Sequence, residues 1–201
     1  IFSGYQTAPH SEVIGYQTKN DNIENMLFDF NAGWLGKSFS MPPYYGLRWT
    51  KWKGNTGWEI EFNHTKVYAD EQTLDKSGFE ILQFTDGLNN LTFNKTHKIE
   101  SEGIFFKDKI KYSYLGYGLG VIIPHVEVKP SVASSFSSGY QIGGPTLGLN
   151  FGFVFPYNKD IDFISEYRFT ASWLNVDLQD NGKLKSRIFT NALNLGLRYN
   201  Y

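Results

Sequence analysis

The stretch Arg187-Ile-Phe-Thr-Asn-Ala-Leu-Asn-Leu-Gly-Leu-Arg-Tyr-Asn-Tyr201 sorts its residues by parity. Phe189, Leu193, Leu195, Leu197, Tyr199 and Tyr201 take odd positions, and Thr190, Ala192, Asn194, Gly196, Arg198 and Asn200 take even ones. Successive side chains of a strand point to opposite faces, so this is a strand with one greasy face and one polar face. It ends on an aromatic residue. A greasy face this regular, closing on aromatics, is the pattern of the last strand of a barrel that crosses a membrane with strands.

The composition is compatible with that reading. The chain has 201 residues, with 19 basic against 20 acidic side chains, so net charge gives no pull toward nucleic acid. Aromatics make up 17% of it, and tyrosine and tryptophan collect where a barrel meets lipid headgroups. No apolar run approaches the roughly 20 residues of a membrane helix. Cysteine is absent, which an oxidising compartment tolerates. The chain starts inside a strand-like segment at Ile1, as expected of a processed chain without its leader.

The same alternation recurs upstream. Leu147, Leu149, Phe151, Phe153 and Phe155 form one greasy series; Leu115, Tyr117, Leu119, Val121 and Ile123 form another. Phe163, Tyr167, Phe169 and Trp173 alternate with Asp162, Glu166, Arg168 and Ser172, and Trp58, Ile60 and Phe62 alternate with Glu59, Glu61 and Asn63. The pattern predicts an all-β, eight-stranded antiparallel transmembrane β-barrel, one domain over 1–201, with strands at 1–10, 44–52, 57–68, 88–98, 111–128, 144–155, 161–176 and 187–201. An even count puts both termini on the periplasmic side of a bacterial outer membrane. Lys53–Thr56, Ile99–Ile110 and Pro156–Asp160 are then periplasmic turns. Ser11–Pro43, Ala69–Gly87, Lys129–Gly143 and Asp177–Ser186 are long extracellular loops. Met26–Trp34 reads as an extension above the membrane or part of a long second strand. Aromatic girdles are expected to include Tyr45, Trp49, Trp58, Tyr167, Trp173, Tyr199 and Tyr201.

Eight strands leave an interior that side chains fill. Arg48, Glu59, Glu61, Glu166, Arg168 and Arg198 fall on the inward parity, which predicts an ion-paired plug and no diffusion pore. Function is then expected on the outer wall or at the extracellular mouth.

Of four histidines, His10, His64 and His125 end strands that run upward, at the depth of the outer-leaflet headgroups; His97 lies at the opposite end. His64 continues the outward series of Trp58, Ile60 and Phe62, followed by Lys66. His125 continues the series of Leu119, Val121 and Ile123, followed by Glu127. Ionisable side chains on a lipid-facing series are costly at mid-depth and cheap at the interface. One strand separates the two, a gap of about 10 Å at about 4.8 Å per strand. A bulge near Pro9 or Pro124 would instead turn these residues toward the mouth. There is no zinc-protease helix motif, nucleophile elbow or phosphate loop.

Seven segments, taken in order, carry a resemblance. They are Gly4-Tyr-Gln-Thr-Ala-Pro-His-Ser11, Pro42-Pro-Tyr-Tyr-Gly-Leu-Arg48, Phe62-Asn-His-Thr-Lys-Val-Tyr-Ala-Asp70, Phe84-Thr-Asp-Gly-Leu-Asn89, Gly120-Val-Ile-Ile-Pro-His-Val-Glu-Val128, Tyr140-Gln-Ile-Gly-Gly-Pro145 and Thr190-Asn-Ala-Leu-Asn-Leu-Gly196. Together they resemble the lipid A oxidase-like outer-membrane barrels of α-proteobacteria. The resemblance implies an oxidoreductase that converts the proximal glucosamine of lipid A to 2-aminogluconate, with molecular oxygen as oxidant and peroxide as by-product. Its partners would be lipid A, lipopolysaccharide and outer-membrane lipids. Such chemistry needs an electron carrier, and the chain has no flavin or nicotinamide motif. A divalent transition metal, iron or copper, is the simplest carrier. His64, His125 and Glu127 are the candidate catalytic residues. With His10, or with Asp86, they would hold the metal. Lys66, Tyr68, Asp86 and Asn89 are the candidate substrate-binding residues, Lys66 being favoured over the inward Arg48 as a phosphate partner. The competing expectation is a non-catalytic barrel whose mouth and loops bind lipopolysaccharide or a protein.

Overall fold

The computed structural model describes residues 1–18, 25–99, 109–131 and 136–201. Among them run β1 (Phe2–Thr18), β2 (Asn25–Leu35), β3 (Tyr45–Lys53), β4 (Thr56–His64), β5 (Val67–Ala69), α1 (Glu71–Ser77), β6 (Phe79–Phe84), β7 (Asn90–Ile99), β8 (Tyr112–Ile122), β9 (His125–Pro130), β10 (Ser137–Tyr140), β11 (Gly144–Pro156), β12 (Ile161–Leu178) and β13 (Gly182–Tyr199). No described helix is long and apolar enough to cross a membrane.

Eight of these strands close a barrel. The order β1-β13-β12-β11-β8-β7-β4-β3 is antiparallel throughout, and β3 returns to β1 through Gly46–Phe2 and Tyr45–Ser3. The ladder is strongly staggered. Followed from Gln6 through Ala192, Arg168, Asn150, Gly116, Thr96 and Gly57, it arrives at Trp52, near the end of β3. Across the seam, the start of β1 instead meets the start of β3. That stagger is the strand tilt a closed barrel requires. Both termini lie at one end, where the Ile1 amino group donates to the Leu197 carbonyl at 3.0 Å.

The longest strands invert their polarity halfway along without changing parity. In β13 the outward Leu193, Leu195 and Leu197 are exposed and the inward Thr190, Ala192 and Asn194 are buried. Higher up, the inward Leu184 and Ile188 are fully buried, while the outward positions hold Lys183, Lys185 and Arg187. The neighbouring β12 does the same: Glu166, Arg168 and Thr170 point inward below Leu174, Val176 and Leu178. The register pairs Trp173 with Arg187, so both strands invert at one height. Below it lies an apolar exterior around a polar interior, which a bilayer demands. Above it lies an apolar interior under a polar wall, which water demands.

This divides the molecule into two stacked tiers. The lower tier is the closed eight-stranded ring. Its wall exposes Trp49, Trp58, Tyr167, Trp173, Tyr199 and Tyr201, as expected of the girdles; Tyr45 is half-buried. Its lumen is filled by ion pairs. Arg48 donates to Glu61 at 2.6 Å and bidentately to Glu166 at 2.6 and 2.9 Å, and Arg168 pairs with Glu61. Tyr114 donates to Glu166 at 2.7 Å. The plug predicted from parity is present in Arg48, Glu59, Glu61, Glu166 and Arg168, whereas Arg198 lies over the rings of Trp52 and Tyr112 instead. Gly118 faces this crowd, where a Cβ would run into Asn94 and the Phe93 carbonyl.

The upper tier is made by the far halves of β1, β12 and β13 together with β2, β5, β6, β9 and β10. Its remaining gap is bridged by the Asp177 amide donating to Gln141 at 2.9 Å and the Gln179 amide donating to Ser137 at 2.8 Å. Val13, Phe28, Trp34, Phe84, Leu88, Val128, Val176 and Leu184 pack inside it. The segments expected as long loops are therefore mostly sheet. Ser11–Pro43 carries the rest of β1 and all of β2, so Met26–Trp34 is the expected extension. Ala69–Gly87 carries α1 and β6, Lys129–Gly143 carries β10, and Asp177–Ser186 is a hairpin joining β12 to β13. By sequence each strand reads as ending where its outward greasy series ends, because in this tier the greasy side is the inner one. The expected turn Ile99–Ile110 lies mainly in 100–108, outside the described residues.

Candidate functional site

On the outer wall, β8 and β9 carry Leu115, Tyr117, Leu119 and Val121 exposed, and then His125 and Glu127 in place of further apolar residues. This change marks the top of the apolar belt. The ladder above it aligns Tyr68 with Gln83, Gln83 with Glu127 and His125 with Tyr140. The alternate residues Val67, Leu82, Phe84, Val126 and Val128 belong to the core, so the polar set faces out.

The loop Asp86–Asn89 assembles the patch. Gly87 has φ +99° and Asn89 φ +38°, a fold that a glycine and an asparagine accommodate. The Asn89 amide donates to the carbonyls of Asp86 and Ile123 at 2.9 and 3.2 Å. Its oxygen meets His64 Nδ1 at 2.9 Å. The Gly87 carbonyl accepts from the His125 amide at 2.9 Å. One loop thus fixes both histidines.

His125 Nδ1 stands 3.7 Å from Asp86 Oδ2 and 3.8 Å from Glu127 Oε1. Its ring lies against Tyr140, with centroids 4.7 Å apart. Glu127 accepts from Gln83 at 2.7 Å. Neither His64 Nε2 nor His125 Nδ1 has a hydrogen-bond partner among the described residues, although both atoms are buried. Burial, followed by the charges of Glu127 and Asp86, pushes the Tyr68 hydroxyl up. Burial and then Asp86 do the same to Tyr140.

Lys66 and His64 depart from expectation. Parity placed both on the open wall, yet His64 is 5% exposed and Lys66 is fully covered. The cause is the segment between β2 and β3. Lys66 Nζ donates to the Ser40 carbonyl at 2.7 Å, and Gln6 clamps the Lys66 backbone from both sides at 3.0 and 3.2 Å. His64 is stacked on Tyr45 at 5.1 Å. Burial and the nearby Lys37 charge pull the Lys66 ammonium down, with Asp86 opposing them. Lys37, which sequence reasoning did not single out, sits over the Tyr68 ring at 4.3 Å.

His10 lies elsewhere. A bulge between Ala8 and Ser11 leaves it exposed on β1. There its charge adds to the Thr73 hydrogen bonds that hold the Asp70 carboxyl low. The bulge near Pro9 exists, but it does not turn His10 toward the other histidines. Among the described residues no group of three or more His, Asp or Glu is arranged to hold a metal ion. The expected set of His10, His64, His125 and Glu127 is therefore not gathered into one ligand group among the described residues. His97, at the terminal end, bonds Thr56 at 3.2 Å and is unrelated to the patch.

The fold and this wall define a class: a closed eight-stranded β-barrel of outer-membrane type, capped by a packed tier. No family model matches the chain, and no curated protein matches it. Solved structures with some likeness are the outer membrane protein AlkL (12% identity, 98% of this chain and 92% of that one, TM-score 0.45), Neisserial surface protein A (11%, 96% and 98%, 0.41) and Ail, the attachment invasion locus protein of Yersinia pestis, in complex with the heparin analogue sucrose octasulfate (12%, 96% and 99%, 0.35). The class rests on the closed ladder and the apolar belt rather than on these likenesses.

Proposed function

We propose that this protein is an outer-membrane barrel that takes the sugar headgroup of lipid A onto its outer wall, with both termini periplasmic and the packed tier extracellular. One observation carries the reading: the ionisable patch of His125, Asp86, Glu127 and Tyr68 begins at the height where the apolar belt ends. A lipid whose acyl chains lie along Leu119 and Val121 brings its sugars to that height. The packed core of the upper tier favours the wall over the mouth as the place of binding. Lys37, beside the patch, supplies positive charge for a phosphate.

The resemblance stated above makes oxidation of the proximal glucosamine the reaction of this reading. The carboxylates of Asp86 and Glu127 flank His125 Nδ1 and favour the proton on that nitrogen, which leaves Nε2 to take a proton from a sugar hydroxyl. The residues of the patch do not form a three-ligand metal set, so no electron-transfer step is assigned to them. Mass spectrometry of lipid A from cells with the protein, without it, and with His125→Ala tests the proposal. A mass shift of the glucosamine unit that depends on the protein and on His125 is expected. Identical lipid A in all three, with the barrel folded and in the membrane, would overturn the enzymatic reading.

A further inference from the structure

At the terminal end, below the ion-paired plug, the lumen holds a cavity of about 730 Å³ that opens past the ends of β3, β12 and β13. Its size is that of small-molecule sites, about 300–1,000 Å³. Its wall is largely apolar, from Phe2, Val154, Ile164 and the rings of Trp52 and Tyr112. Three polar atoms on this wall are buried and lack a hydrogen-bond partner among the described residues: Glu59 Oε1, Trp52 Nε1 and the Tyr112 hydroxyl. Glu59 is 2% exposed; its other oxygen accepts from Thr50 at 3.2 Å, and Oε1 has only Arg48 at 3.8 Å. Arg198 lies over the Trp52 and Tyr112 rings, with its guanidinium carbon 5.9 and 5.5 Å from their centroids. Orphaned buried polar atoms are uncommon, because each costs the desolvation of its group. Here three of them share one cavity and comprise an acceptor and two donors, with a cation beside them.

We propose that this cavity binds a zwitterionic amphiphile. Its anionic oxygens would take the Trp52 N–H, the Tyr112 O–H and the Arg198 guanidinium. Its ammonium would donate to Glu59 Oε1. Its apolar body would lie against Phe2, Val154 and Ile164. An apolar amino acid and an ethanolamine lysophospholipid share this chemistry. The site is separate from the outer-wall patch, at the opposite end of the barrel.

The test is calorimetry on the protein in phosphatidylcholine nanodiscs, with empty discs as reference. The probes are L-phenylalanine, lauroyl lysophosphatidylethanolamine and, lacking the ammonium, lauroyl lysophosphatidylglycerol. Saturable uptake of one zwitterion per barrel is expected, with the glycerol lipid at least about tenfold weaker, the usual scale of one lost charged hydrogen bond. Binding of phenylalanine alone points to a soluble source, and binding of the ethanolamine lipid alone to a membrane source. Arg198→Gln should weaken the bound zwitterion about tenfold. Tyr112→Phe, which removes one oxygen and keeps the ring, should weaken it by a smaller factor. No uptake above empty discs, or equal affinity in the wild type and both variants, would overturn the proposal and leave the three atoms to water.

Discussion

Placing arginine at Phe151 tests whether the belt faces lipid. Phe151 lies near the middle of β11, in the outward series with Leu149 and Phe153, between Leu115 on β8 and Tyr167 on β12. A guanidinium on the lipid face of a barrel costs about 2–4 kcal/mol at the bilayer midplane. Loss of the edge-on contact with Phe153, centroids 4.9 Å apart, adds about 0.5–1.5 kcal/mol. The belt term alone lowers the folded-to-unfolded ratio roughly 30- to 700-fold, at 1.4 kcal/mol per tenfold. The matched control is Leu27→Arg. Leu27 is also a large apolar residue on the outer wall, at 80% exposure, but it lies on β2 in the upper tier. In water that exchange costs no more than about 0.5 kcal/mol. Equilibrium folding into phosphatidylcholine vesicles across a urea series, followed by tryptophan fluorescence and heat-modifiable migration, measures both. Equal costs at the two positions would refute the reasoning, because the lipid term, the largest expected difference between them, would then be absent.

Arg48→Met should destabilise the barrel by about 3–5 kcal/mol, since it strands Glu166 in the lumen without its bidentate partner, while Glu61 keeps Arg168; adding Glu166→Gln should recover part of the loss in the same vesicle assay. Asp70→Ala should remove the cap of α1, because the Asp70 carboxylate accepts from the Thr73 amide at 2.8 Å. The side-chain and backbone hydrogen bonds from Thr73 hold that carboxyl below its ordinary value, so its contribution is present above the ordinary carboxylate range and fades as pH falls through the lowered value. Amide exchange at Thr73 should therefore accelerate on acidification in the wild type beyond its intrinsic pH dependence. In the variant it should be fast throughout, with no such pH-linked step.

The lower tier was legible because one physical rule governs all eight strands. Lipid outside and a narrow lumen inside force period-two alternation, and β11, β12 and β13 show it over 147–155, 163–173 and 189–201. The upper tier was hidden by the same rule. Leu174, Val176 and Leu178 have the parity of Glu166 and Arg168, so they read as misplaced greasy residues rather than as a core. The outward address of His125 and Glu127 followed from counting along β8 and β9. The cover over His64 and Lys66 did not, because it depends on Gln6 and Ser40, residues 60 and 26 positions from Lys66. Periodicity reports which way a side chain leaves its own strand, and it is silent about what a distant segment lays over it. The same limit hid the separation of His10 from His125: equal height on upward strands places residues on a ring, and only the ladder shows where on the ring each one lies.

The inversion also bears on how the patch came to sit at the interface. A strand that passes from lipid to water must exchange the polarity of its faces or bend away. In β12 and β13 the exchange takes place within one register, at Trp173 and Arg187, and the strands run on unbroken. In β4 and β8 it does not. β4 ends at His64, and β8 stops at Ile122 before β9 resumes at His125. The ladder there is interrupted, and the free carbonyls of Gly87 and Ile123 are taken up by the His125 amide and by Asn89. A break at the lipid boundary exposes backbone groups that need partners, and the residues that satisfy them, Asn89 and His125, are the ones that place imidazoles beside Asp86 and Glu127. The functional candidates lie where the transition between solvents interrupts the sheet, and the unbroken side of the barrel passes the same height at Trp173 and Arg187.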